Sequence, residues 1–219
     1  MTRALFEDLM TSTTETFSVG RLTSQGLRDD PRFLVFMLSR YKFVAKMFEG
    51  CKSVLEVGCG DGFGGLIVAQ AVDRLTGIEV EPLVLEDRSS VVDQCENFEM
   101  LIHDVIDTPM AERFDAAYCL DVIEHIPPED EDRFVHNIAA STVDHGALIV
   151  GTPNLAAKQY QSPWLEDLHI NLKSHASLKE TLLRHYHRVF MFGMNDEVLH
   201  TGFGPMCHYL MALAVEPRQ

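Results

Sequence analysis

Residues 53–65, reading SVLEVGCGDGFGG, hold the densest chemistry in the chain. Glycines at 58, 60 and 62 alternate with Cys59 and Asp61, and Glu56 stands two residues before the first of them. Val54, Leu55 and Val57 form a short apolar run of the kind a buried parallel strand needs. Helical spacing resumes from Leu66. Strand, glycine turn and helix open a nucleotide-binding βαβ unit, in which glycines let a ligand approach the backbone and the helix N-terminus offers free N–H groups. Gly60-Asp61-Gly62-Phe63-Gly64-Gly65 formally satisfies G-x-G-x-x-G, a dinucleotide pattern that is weak alone. The charges oppose a dinucleotide, because Glu56 and Asp61 would meet a pyrophosphate with like charge. A ligand with an ammonium and a sulfonium but no phosphate would find both carboxylates favourable. Glu79 ends the apolar run 75–80, about 20 residues past the glycine turn, where an acid is expected to meet a ribose diol. A carboxylate there can accept from both hydroxyls.

The stretch Glu56-Val57-Gly58-Cys59-Gly60-Asp61-Gly62 resembles the first motif, E/D-x-G-x-G-x-G, of the class I S-adenosylmethionine-dependent methyltransferases of small-molecule type. A second stretch, Phe114 and Asp115 leading to Cys119 and then Asp121-Val122-Ile123-Glu124-His125, also resembles that family, in which it lies against the cofactor and the transferred methyl. The resemblance spans residues 50–215 and implies S-adenosyl-L-methionine as cofactor. The cofactor contacts it implies are Arg40, Glu56, Gly58, Cys59, Gly60, Gly62, Phe63, Glu79, Val80, Asp104, Val105, Leu120 and Asp121. Asp104 either accepts from the adenine amino group or caps a turn. Arg40 either reaches the methionine carboxylate or is a surface arginine.

Methyl transfer from a sulfonium is an in-line displacement with a good leaving group, so the protein must mainly hold the reactants in a dry site. A hydroxyl acceptor needs a base. His125, next to the fourth strand's carboxyl end, is the first candidate and His169 the second; the plainer reading is a histidine that bonds backbone and shapes the pocket. The D-x-x-E-H spacing of Asp121, Glu124 and His125, with His169 later, is also similar to small-RNA 3′-end 2′-O-methyltransferases, which hold a divalent metal. Two carboxylates and two imidazoles make a sensible octahedral set, but Asp replaces the family's first Glu and no basic RNA surface is evident. The favoured reading therefore assigns no metal and takes a small metabolite, methylated at oxygen or nitrogen. An RNA 3′ end or a non-catalytic cofactor-binding protein is the alternative.

The elements that must position these residues read as a Rossmann-like α/β fold. We expect a seven-stranded sheet with helices on both faces and an antiparallel last strand. Strands are expected at 54–57, 75–80, 98–102, 114–120, 146–151, 189–193 and 208–215. Asp30-Pro31 reads as a helix start, with apolar spacing from Phe33 to Phe48 and Gly50 as a C-terminal cap. Leu5, Phe6, Leu9 and Met10 could line a shorter helix before it. Residues 1–50 thus form an N-terminal helical segment packing on the cofactor pocket, and 51–219 the methyltransferase domain. A helix over 177–187 is expected, capped by Ser177 with Glu180. Residues 152–176 lack periodicity, and a connection that long is usually functional. We expect a lid there, with Tyr160, Trp164 and His169 facing the methyl.

Composition bounds the partners. At 219 residues the chain fits one domain with a sizeable core. A formal net charge of −15 disfavours a phosphate-backbone partner. The five scattered cysteines have no metal-finger spacing and read as reduced thiols of a cytoplasmic protein. No apolar run approaches a membrane span, and nothing in the sequence speaks to oligomeric state.

Overall fold

The computed structural model describes residues 2–4, 7, 18–90, 92–160 and 167–218. Helix α1 (Arg21–Asp29) and helix α2 (Phe33–Met47) precede the sheet. The chain then runs β1 (Val54–Val57), α3 (Gly65–Ala69), β2 (Leu75–Glu79), α4 (Pro82–Glu86), β3 (Phe98–Ile102) and β4 (Phe114–Leu120). It continues through α5 (Glu131–Ala140), β5 (Thr142–Pro153), α6 (His175–His185), β6 (Tyr186–Asn195), β7 (Val198–His200) and β8 (Tyr209–Pro217). The strands form one sheet in the order β3-β2-β1-β4-β5-β8-β6-β7. The first five are parallel, whereas β8 runs antiparallel to both β5 and β6.

Strand burial explains the apolar runs. Val54 packs into the core on the α2 side, with Met37, Tyr41, Val44 and Val68. Leu55 and Val57 point to the other face, among Phe134, Ile138, Leu178 and Leu182 of α5 and α6. A parallel strand covered on both faces has no polar side to display. Strand order reverses between β1 and β4, and such a reversal opens a crevice beyond the strands' carboxyl ends.

The structure departs from the sequence reading at five places, the first being helix α1 itself, which no expected element covers. The sheet has an eighth strand, the short β7, which closes a hairpin with β6 at Asn195↔Val198. Helix α2 starts at Phe33, and Asp30 ends α1 instead, its N–H donating to Gly26 O. Helix α6 starts earlier than expected because Ser174 is the cap: its Oγ accepts from Ser177 N–H at 3.1 Å while Ser177 Oγ accepts from Ser174 N–H at 2.9 Å. Glu180 takes no part in this capping box. Strand β5 extends to Pro153, and Asn154 bridges to Lys173, so the 152–176 connection is tied at both ends. The helix expected around Leu5, Phe6, Leu9 and Met10, and Trp164 of the expected lid, lie outside the described residues.

Candidate active site

A cavity of about 400 Å³ opens at the switch point. Its floor is Val57, Gly58 and Gly60, and its walls are Ile78, Glu79 and Val80 on one side and Asp121, Val122, His125 and Ile126 on the other. His103, Asp104, Val105 and Ile106 close one end, with Phe134 from α5 and Leu22 from α1. Two backbone positions shape the floor. Gly58 turns at φ 74° with no room for a side chain, since a Cβ would stand 2.5 Å from Val122 Cγ2. Asp121 leaves β4 at φ 57°, a left-handed conformation uncommon outside glycine.

Glu79 is oriented by backbone donors. Its Oε2 accepts from Gly60 N–H at 3.1 Å and its Oε1 from Val80 and Glu81 N–H at 2.9 and 3.2 Å. Oε1 thus takes two N–H groups, whereas Oε2, with one, keeps a second lone-pair site able to accept from a ligand. Asp104 lines the cavity and also caps a turn, its Oδ1 accepting from Ile106 N–H at 2.8 Å. Asn137 of α5 steadies that turn by donating to Val105 O at 2.7 Å and Ile106 O at 3.1 Å.

Several residues of the expected cofactor set stand away from the cavity wall. Glu56 is buried beneath the loop, accepts from Tyr41 Oη at 2.9 Å, and burial pushes its carboxyl up to about 8. Burial there disfavours its charged form. Asp61 is spent otherwise too, accepting from Thr23 N–H at 2.9 Å and Thr23 Oγ at 3.0 Å, which clamps α1 over the loop. Cys59 packs against Gly77, Gly62 against Val92 and Met100, and Leu120 against Gly151. Phe63 donates its N–H to Asp61 Oδ1 at 3.3 Å. Arg40 grips both oxygens of Asp121, at 3.0 and 2.7 Å, and its guanidinium lies 3.7 Å from the centroid of the Tyr209 ring. It is neither a free surface arginine nor part of the cavity lining.

The histidines converge. His125 Nδ1 lies 3.0 Å from Leu168 O, and the His125 and His169 rings meet edge-on at 5.0 Å between centroids. Glu124 is fully buried with Oε2 accepting from Thr152 Oγ at 2.9 Å, while its Oε1 has no hydrogen-bond partner among the described residues. Burial, and then the nearby Asp121 carboxylate, push Glu124 up to about 8. Burial first, then His125, hold His169 below the usual imidazole range. Ligand atoms of Glu124, His125 and His169 lie within 4.8 Å of one another, a spacing that could hold a metal ion. Asp121 is not in that group, being taken by Arg40.

Sequence reasoning missed Leu22, His103, Asn137 and Thr152. Only His103, adjacent to Asp104, carried a signal; the others arrive from elements distant in sequence.

Residues 54–146 match a family model described as a methyltransferase domain. With the sheet order above, this gives the chain the class I S-adenosylmethionine-dependent methyltransferase fold. Among curated proteins, the ubiquinone biosynthesis O-methyltransferase of Coxiella burnetii is 30% identical over 117 residues, covering 50% of this chain and 47% of that protein. The chain thus spans about half the length of the curated relatives it matches. Among solved structures, the N-methyltransferase NodS of Bradyrhizobium japonicum, in complex with S-adenosyl-L-homocysteine, superposes with a TM-score of 0.65 at 16% identity, covering 88% of this chain and 91% of NodS. A complex between the Haloferax volcanii Trm112 methyltransferase activator and a methyltransferase gives 0.72 at 13% identity, covering 90% and 95%. No helix among the described residues is long and apolar enough to cross a membrane.

Proposed function

We propose that the chain transfers a methyl group from S-adenosylmethionine to an oxygen or nitrogen of a small molecule. The observation that carries this reading is Glu79, held by three backbone N–H groups at the rim of a crevice floored by Gly58 and Gly60. When bound, the cofactor would have its ribose diol held by Glu79, its adenine by Asp104 and Val105, and its methionine end by Gly58 and Asp121, all of which line the cavity. Its sulfonium would supply the activated methyl to the acceptor's lone pair, with the carbon–sulfur electrons left on the departing thioether. His125 takes the acceptor's proton on Nε2, because Nδ1–H is committed to Leu168 O. His169, held neutral, adds no positive charge beside it. The net charge of −15 supports a small acceptor over a nucleic acid.

Titration calorimetry with S-adenosylmethionine, S-adenosylhomocysteine and NAD tests the cofactor reading. Binding of the first two without the third is expected; NAD binding without a response to S-adenosylhomocysteine would refute it.

A second reading rests on the grouping of Glu124, His125 and His169. The unpartnered Glu124 Oε1 and the two imidazoles are a donor set suited to a divalent ion that would orient an acceptor hydroxyl. Turnover lost on chelation and restored by Mg²⁺ or Mn²⁺ would favour this reading; turnover indifferent to chelator would favour the base.

A further inference from the structure

We infer that Glu131 is the positioning residue that holds His169 opposite His125. Glu131 sits in the first turn of α5 and is 6% exposed. Its carboxylate accepts from Asn171 Nδ2 at 2.9 Å, Thr181 Oγ at 2.8 Å and Arg184 Nη2 at 3.0 Å, and it pairs with Lys173 Nζ. Two of these donors, Asn171 and Lys173, lie just beyond His169 on the same segment. That segment is tied to the site at two further points: Asn171 N–H donates to Glu124 O at 2.9 Å, and Leu168 O accepts from His125 Nδ1. Residues 168–173 therefore run from the imidazole of His125, past Glu124, to Glu131.

Stability alone does not call for such an arrangement. Lys173 is 7% exposed, and a buried ion pair can often be replaced by apolar residues of similar volume without loss of stability. What apolar packing lacks is direction. Glu131 fixes both the position and the rotation of a segment that carries no helix or strand of its own between Asp167 and Ser174. The dependence on His125 and His169 as the groups facing the reaction comes from the function proposed above; the geometry of the tie does not.

Long-range ¹⁵N–¹H correlation spectra of histidine-labelled full-length protein, with and without S-adenosylhomocysteine, report the tautomer of His125. The wild type is expected to show the single Nδ1–H form. Two variants loosen the tie: Glu131→Leu with Lys173→Met, which removes both charges together, and Asn171→Leu, which leaves the ion pair intact. In each, His125 should become a mixture of tautomers, and amides 168–173 should exchange about tenfold faster or more. Affinity for S-adenosylhomocysteine should stay within about twofold, since Glu79 and the glycine turn keep their own partners. A single His125 tautomer with unchanged exchange in the folded variants would overturn the proposal and leave Glu131 an anchor of stability only. Should the double variant fail to fold, Asn171→Leu decides the matter alone. No binding of S-adenosylhomocysteine by the wild type would defeat the cofactor reading instead, and leave the tautomer result to stand or fall by itself.

Discussion

His125 donates from Nδ1 to the backbone carbonyl of Leu168, 3.0 Å away, so the proton on the imidazole is assigned by the fold. A carbonyl can only accept, and the other nitrogen, Nε2, is left with its lone pair. His125→Asn should therefore lower turnover by about 10²–10⁴-fold for a hydroxyl acceptor, the usual worth of a positioned base. Cofactor affinity should change little. Steady-state kinetics alongside calorimetry separate the two, and a variant with full turnover would return His125 to a purely structural role.

Removal of the Glu79 carboxylate should weaken the cofactor by about 1.5–3 kcal/mol for each charge-assisted bond lost, less where water substitutes. Glu81→Ala, on the neighbouring acid, serves as the control. Equal affinities for the Glu79→Ala and Glu81→Ala proteins would show that the ribose is bound elsewhere.

Thr23→Val keeps the shape of α1 but deletes the hydroxyl that donates to Asp61 at 3.0 Å. One hydrogen bond is worth about 1 kcal/mol, and Leu22 beside it closes the cavity. S-adenosylhomocysteine should dissociate roughly fivefold faster. Stopped-flow displacement measures this directly, and an unaltered dissociation rate would mean that α1 does not gate the cofactor.

Glu56 sets a pH dependence. In the unfolded chain its carboxyl ionises near 4.5, whereas burial in the folded chain holds the proton to about 8. The native state binds more protons between these values, so stability is full below the lower one and falls as pH rises through the window. Glu124 acts in the same direction. Glu56→Gln should remove one share of the decline, giving a flatter midpoint temperature from about pH 5 to 8. Scanning calorimetry across that range checks it, and parallel curves for variant and wild type would contradict the buried-carboxyl assignment.

What the sequence made legible was local. The glycine turn follows an apolar run, and Glu79 stands at the end of the next one. Alternation of Val54 with Leu55 and Val57 across two core faces is likewise a property of adjacent residues. Helix α1 was hidden because Gly26 in its middle reads as a breaker. The glycine is needed there, since a Cβ would stand 2.6 Å from the Phe33 ring. Arg40 was visible as a cation but its partner was not, because Asp121 lies 81 residues away. Glu56 and Asp61 were legible as acids near a ligand, yet burial disfavours the charge on Glu56 and Thr23 engages Asp61, and only the fold brings either about. For α6 the spacing of Glu180 after Ser177 pointed to Ser177 as the cap, whereas in the fold Ser177 is the third residue of the box and Ser174 the cap.

Strand β8 lies between β5 and β6 and pairs with both. On a chain made from its N-terminus, β5 and β6 emerge from the ribosome before the strand that joins them. Until residue 217 has been added, each presents an unpaired edge, and open edges invite pairing with other chains. The cofactor crevice, bounded by β1, β2 and β4, has no such wait. Every strand that frames the crevice is thus synthesised before β8, the strand that closes the seam of the sheet.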